Sequence, residues 1–322
     1  MINNITYLEL TGQDPNEESF VSYWVNLKKG NKYSARKASS DTGIMYNGLI
    51  HMHAQLSSGK KMEVITYGNG SPILFISGIG MITPIWFYQI KPLSSGNQLV
   101  FIHNPGHGLS EITEDLSYQG VSKTIIETLE VLGITSPFHI LGTCLGGNIA
   151  AALAAFSQQC ISLTLVNTVY DYATDAFDDK KLNRQKVADM MDFLKGFENR
   201  LRTDFDNALK ERSEKNCDMS RQFEIYIKSK IIDPYAYLQY VDNISKNKVI
   251  DDLLREIRQP TLVLASEKDT AVDIDNSKKI SRLIKKSKYI EMHDAGHYPY
   301  ITHPSEFNMI VKSFIDNVAV TQ

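Results

Sequence analysis

Three cysteines, Cys144, Cys160 and Cys217, are all that the 322-residue chain contains. Their number is odd and none stands in a C-x-x-C pair, so neither a disulfide framework nor a zinc site is expected. Charge of one sign is also lacking. The chain carries 34 Lys and Arg against 37 Asp and Glu, a formal net charge of -3. Nothing there draws the whole protein to nucleic acid or to an anionic membrane. No apolar run approaches the roughly 18 residues of a spanning helix, and the best, 149–156, reads as buried helix. The opening stretch, MINNITYLELTGQDPNEE, lacks the basic start and apolar centre of a secretory signal. These absences lead us to expect a cytoplasmic location with reduced thiols.

What is present is a rhythm. Short β-rich runs recur at 62–67, 73–77, 98–103, 138–143, 162–167, 261–266 and 288–293. Several are continuously apolar, as in strands covered on both faces. Helical patterns lie between them. In 117–132, Val121, Ile125, Leu129 and Leu132 share one face, and Gly133 follows as a stop. The alternation predicts a mostly parallel sheet flanked by helices, an α/β fold. It breaks over 171–258, a charged, helix-prone block that reads as a helical cap inserted between a first core part, 61–170, and a second, 259–322. Residues 1–60 read as an N-terminal extension with one edge strand at 44–53. Aromatics and methionines of the cap, such as Met190, Phe197 and Tyr240, either line an acyl pocket or pack the cap on itself.

The stretch HILGTCLGG, 139–147, carries the chemistry. It reads as strand, sharp turn and helix, with G-x-C-x-G placing Cys144 at the tip of a nucleophile elbow that ordinarily holds serine. Gly142 and Gly146 stand where side chains would collide with the adjoining strand and helix. The following helix directs its N-terminal N–H groups toward the sulfur, a setting for negative charge. The Leu145 N–H is the expected first oxyanion donor. A second is expected from Ile79, in the Gly-rich turn SGIG that ends an earlier strand. An acid and a base must follow: Asp269, in SEKD past a late strand, and His297, in AGHYP after the next. The order Cys144, Asp269, His297 is that of nucleophile, acid and base. Asp171 is the alternative acid. His103 and His107, in HNPGHGLS, are read as hydrogen-bonding within their own turn, and no metal or cofactor is expected.

Together SGIG, NPGHGLS, GTCLGG, SEKD and AGHYP resemble the α/β-hydrolase superfamily from about residue 61 onward, with the cap as insertion. GTCLGG is similar to dienelactone hydrolases, which lack a large cap. The long N-terminal segment, the cap and MEVITYGNGSPILFISGIGM look more like the cysteine-dependent off-loading cyclases of polyketide–nonribosomal peptide pathways. That resemblance implies a Cys–His–Asp triad that takes a chain from an acyl or peptidyl carrier protein and releases it by Dieckmann condensation as a tetramic acid or pyridone. The basic runs 28–37 and 278–288 are solvated faces or a docking face for such an acidic carrier. The alternatives are a thioesterase or dienelactone-type hydrolase, and a non-catalytic binding protein on the same fold. The sequence leaves the oligomeric state open.

Overall fold

The structure, a computed structural model, describes residues 44–46, 49–170, 232–246 and 250–320. Nine strands among them form one sheet: β1 (Ile44–Tyr46), β2 (Leu49–Gln55), β3 (Lys61–Gly68), β4 (Ser71–Ile76), β5 (Asn97–Ile102), β6 (Phe138–Thr143), β7 (Cys160–Val166), β8 (Thr261–Ser266) and β9 (Ser287–Met292). Their spatial order is β1-β2-β3-β5-β4-β6-β7-β8-β9. The first three run antiparallel to their neighbours, and every pair from β5–β4 to β8–β9 is parallel. The edge strand expected over 44–53 is instead two strands, β1 and β2, paired through Tyr46 and Leu49.

The central strands are apolar throughout because both faces are covered. All six residues of β6 and of β8 are buried. Helices α1 (Tyr118–Val131), α2 (Leu145–Phe156), α3 (Pro234–Lys246), α4 (Ile250–Glu256), α5 (Ile274–Leu283) and α6 (Pro304–Val320) follow or flank the strands. The sequence signals of α1 hold at both ends. Ser117 caps it by accepting from the Gly120 N–H at 3.1 Å, and Gly133 follows with φ 71°. Of the cap block, the described part contains α3 and α4. Tyr237 and Tyr240 are buried there and Tyr235 is exposed, while Met190 and Phe197 lie outside the described residues. Among the described residues no helix is long and apolar enough to cross a membrane.

Helix α2 decides where the chemistry is placed. Rich in glycine and alanine, it buries Leu145 to Ala154 against the sheet. A methyl group on Gly146 would collide with the carbonyl oxygens of Ile76 and Ser77 at the end of β4. Those oxygens belong to backbone and cannot swing away. Gly146→Ala is therefore expected to cost about 3 kcal/mol, the upper end of overpacking. The midpoint of urea unfolding checks this, and an unchanged midpoint would mean that α2 can retreat from the sheet.

Candidate active site

The carboxyl ends of β4, β6, β8 and β9 open on the same side of the sheet, the side on which α/β folds hold their ligands. Cys144 follows β6 directly and has φ 51° and ψ −122°, a left-handed conformation for a side-chain-bearing residue. Such backbone costs of order 1–3 kcal/mol and persists only where its surroundings hold it. Here the Cys144 N–H donates to Val166 O at 3.0 Å, and the Gly147 N–H donates to Cys144 O at 3.0 Å. Gly78 faces the nucleophile closely; a Cβ there would lie 3.1 Å from Cys144 Cβ. The Cys144 side chain remains partly exposed, as a reacting sulfur must. Cys160 differs: it is buried, and burial pushes its thiol far above the usual range. Cys217 lies outside the described residues.

His297 and Asp269 meet as the sequence expects. His297 Nδ1 lies 2.7 Å from Asp269 Oδ2, and the Asp269 side chain is 1% exposed. The other carboxylate oxygen accepts the N–H groups of Ala271 at 2.8 Å and Val272 at 2.9 Å. The acid is thereby fixed on both sides and orients the ring. Burial opposes the charged imidazole. The Asp269 carboxylate and a side-chain hydrogen bond with Cys144 outweigh it, and the His297 pKa is pushed up to about 10. Nucleophile, base and acid thus form one connected chain.

Backbone donors complete the arrangement. Leu145 opens α2 immediately after the sulfur, and Ile79 stands in the turn beyond β4 beside Gly78. Neither N–H donates to a protein acceptor among the described residues, whereas the neighbouring Gly80 N–H is taken by His107 Nε2 at 3.0 Å. An acyl oxygen over Cys144 is the kind of acceptor that such donors serve.

The model of the alpha/beta hydrolase fold family matches residues 71–304, more than half of the chain. The chain belongs to the α/β-hydrolase-fold family. Among curated relatives, it is 23% identical over 271 residues to the polyketide synthase ThaQ of Burkholderia thailandensis. That match covers 81% of this chain, which spans only 12% of the synthase. It is 27% identical over 267 residues to a pimeloyl-[acyl-carrier protein] methyl ester esterase of Wigglesworthia glossinidia brevipalpis, covering 77% of this chain and 95% of the esterase. Among solved structures, a putative lipase of Acinetobacter baumannii superposes with a TM-score of 0.68 at 19% identity, covering 96% of this chain and 99% of that one. The enol-lactonase of Burkholderia xenovorans gives 0.65 at 19% identity, covering 82% and 99%. Both likenesses show the fold.

Other residues of this α/β-hydrolase-fold chain find plainer places. Asp171 lies outside the described residues. His293 is exposed beside Glu267 at 3.5 Å, and His303 Nδ1 lies 2.8 Å from Thr302 Oγ1. In the basic run 278–288, Lys278 pairs with Asp275 and Lys279 lies over the Tyr170 ring; the run 28–37 lies outside the described residues. The expectation that His103 and His107 bond within their own turn holds only in part: His107 Nδ1 lies 3.3 Å from Pro105 O, but both rings also reach across to the segment after β4 through Nε2. Among the described residues, His51, His53 and Glu63 are the group whose ligand atoms lie close enough for a metal, within 4.8 Å of one another. Glu63 is already committed to His51 at 2.8 Å and His103 at 2.7 Å.

The sequence reading missed Asn167. Its Nδ2 donates to Ser266 Oγ at 3.0 Å and to His297 O at 3.1 Å, while its Oδ1 accepts the Ser266 N–H at 2.9 Å. One buried amide therefore ties the strand that presents the acid to the loop that presents the base. In the sequence it ends SLTLVN and looks like any strand-end turn residue.

Two outcomes follow. Replacing Asp269 by Asn removes the charge that raises the His297 pKa and leaves burial, which lowers it. The midpoint should fall from about 10 to about 6.5 or below, as read by NMR titration of the ring; an unmoved midpoint would separate the two residues. Asn167→Ala should slow acylation of Cys144 by about ten-fold through a misplaced base. It should also lower the midpoint of thermal unfolding, because the buried Ser266 N–H loses its acceptor at a cost of about 1–3 kcal/mol.

Proposed function

We infer that this protein is a cysteine-dependent acyl-transfer enzyme that loads a carrier-bound thioester chain onto Cys144 and releases it by intramolecular Dieckmann-type cyclisation. The observation that carries this reading is sulfur, in place of oxygen, at the tip of an elbow whose base and acid are otherwise in position. Two relatives support it by their names, one a polyketide synthase and the other an esterase of a pimeloyl-acyl-carrier-protein methyl ester. The partner this implies is an acyl or peptidyl carrier protein, and the chemistry requires no cofactor.

The electrostatics suit a two-stage cycle. At neutral pH a group with its pKa near 10 carries its proton, so His297 begins as imidazolium beside the Cys144 sulfur. Sulfur attacks as thiolate. Its new bond to the acyl carbon places negative charge on the carbonyl oxygen, where the Ile79 and Leu145 N–H groups stabilise it. The C–S bond to the carrier breaks, and the departing thiolate takes the proton from His297. One thioester has replaced another, a nearly thermoneutral exchange.

Acylation also changes the base. The ring has given its proton to the departing thiolate, and the hydrogen bond and charge at Cys144 that helped to raise its pKa are gone, so it stands ready to accept another proton. It takes the acidic proton between two carbonyls of the bound chain. The resulting carbanion attacks the Cys144 thioester, a C–C bond forms, and the C–S bond breaks. Thiolate and imidazolium are restored. A thioester favours this outcome because its carbonyl is less resonance-stabilised than an ester's and accepts a carbon nucleophile readily. The second reading is hydrolysis, favoured by the esterase and lactonase relatives.

Product mass separates the two. Given a β-ketoacyl-aminoacyl thioester, the purified protein should yield the substrate less its thiol, with no water added; gain of one water would establish a hydrolase. Cys144→Ala should abolish turnover. Cys144→Ser should retain a small activity shifted toward hydrolysis, and a serine variant that cyclised as well as the parent would overturn this account of the sulfur.

A further inference from the structure

The segment 77–83 carries the proposed oxyanion donor Ile79, yet it belongs to no strand and its first glycine lies against the nucleophile. Something must hold it. Two imidazoles from the segment after β5 do so, each through Nε2. The Gly80 N–H donates to His107 Nε2 at 3.0 Å, and the Thr83 N–H donates to His103 Nε2 at 3.1 Å. Both side chains are essentially buried, at 0% and 1% exposure.

A nitrogen that accepts a hydrogen bond carries no proton, so these contacts dictate tautomers. His103 must hold its proton on Nδ1, where Glu63 Oε2 receives it at 2.7 Å. Glu63 is fully buried and also accepts the Leu109 N–H at 2.6 Å. Burial works against its charge, but its short hydrogen bonds with His103 and His51 prevail and keep it well below the usual carboxylate range. His107 must likewise hold its proton on Nδ1, which faces Pro105 O at 3.3 Å. Its ring lies 5.5 Å from that of Tyr240 on α3, whose hydroxyl donates to the same carbonyl at 3.0 Å.

We propose that His107 is a positioning residue for oxyanion stabilisation: its unprotonated Nε2 holds the Gly80 N–H and thereby sets the peptide of Ile79 over Cys144. This deepens the acyl-transfer reading and rests on it. His103, kept in its tautomer by Glu63, anchors the far end of the same segment at Thr83. Both imidazoles are buried. They act through the backbone they grip.

The test uses two reactions of Cys144 that differ in one respect. Acylation by an aryl thioester passes through an oxyanion, whereas alkylation by iodoacetamide does not. Both are read as mass gained on the Cys144 peptide. His107→Gln places an acceptor oxygen at the position of Nε2, His107→Asn stops one atom short, and His107→Phe keeps the ring without an acceptor. Acylation should stay within about three-fold of the parent in the Gln variant and fall by about 10- to 100-fold in the Asn and Phe variants. Alkylation should stay within about two-fold in all three, since nucleophile and base are untouched. A Gln variant as slow as Asn, or alkylation that falls in step with acylation, would overturn the proposal. Should the Phe variant fail to fold, the Gln and Asn pair decides. The nitrogen NMR shift of His107 Nε2 is an independent reading. It should be that of an unprotonated ring nitrogen at neutral pH, and a protonated Nε2 would refute the proposal. A parent protein that no thioester acylates would instead refute the acyl-transfer reading, leaving the NMR result to judge His107.

Discussion

The contact on which the rest of the structure depends is the one between the first turn of α2 and the end of β4. Backbone meets backbone there, with room for a hydrogen atom and nothing larger on Gly146. That closeness forces the chain through a tight reversal and puts Cys144 in a left-handed conformation. The strain is repaid in position: the sulfur stands clear of the sheet, at the head of a helix, beside the turn that carries Ile79.

Around that reversal the polar groups are arranged so that each charge has a partner and each partner a second hold. Asp269 is gripped by two backbone N–H groups before it meets His297. Asn167 joins the strand of the acid to the loop of the base. His103, held by Glu63, and His107 tie the segment after β5 to the segment after β4. Buried polar groups left half-satisfied would be costly, and here the same bonds that meet that cost fix the geometry. The Asp269 carboxylate and the Cys144 side chain together raise the His297 pKa against burial, and in the proposed cycle the same ring serves as acid during loading and as base afterwards.

Much of this was legible in the chain. The continuous apolar runs showed a sheet covered on both faces, and the G-x-C-x-G spacing marked the elbow because only glycine fits where strand and helix nearly touch. Asp269 and His297 were readable because each follows a strand and the fold brings strand ends together. Other features were not readable. β1 and β2 merged into one run because nothing in IMYNGLIHMH marks where the strand turns back. Asn167 had the appearance of a turn residue, and its partners are about a hundred or more positions away.

The sequence by itself determined the fold class, the elbow that carries Cys144 and the order in which Cys144, Asp269 and His297 follow their strands, since those rest on local sterics and on periodicity. Tertiary structure alone decided how the site is held. The reach of His103 and His107 to the segment after β4, the double grip on Asp269 and the bridge made by Asn167 depend on which strand ends become neighbours. Hydrogen bonds are directional and short, so a residue's partner is settled only when the sheet order β5-β4-β6-β7-β8-β9 has brought those ends together.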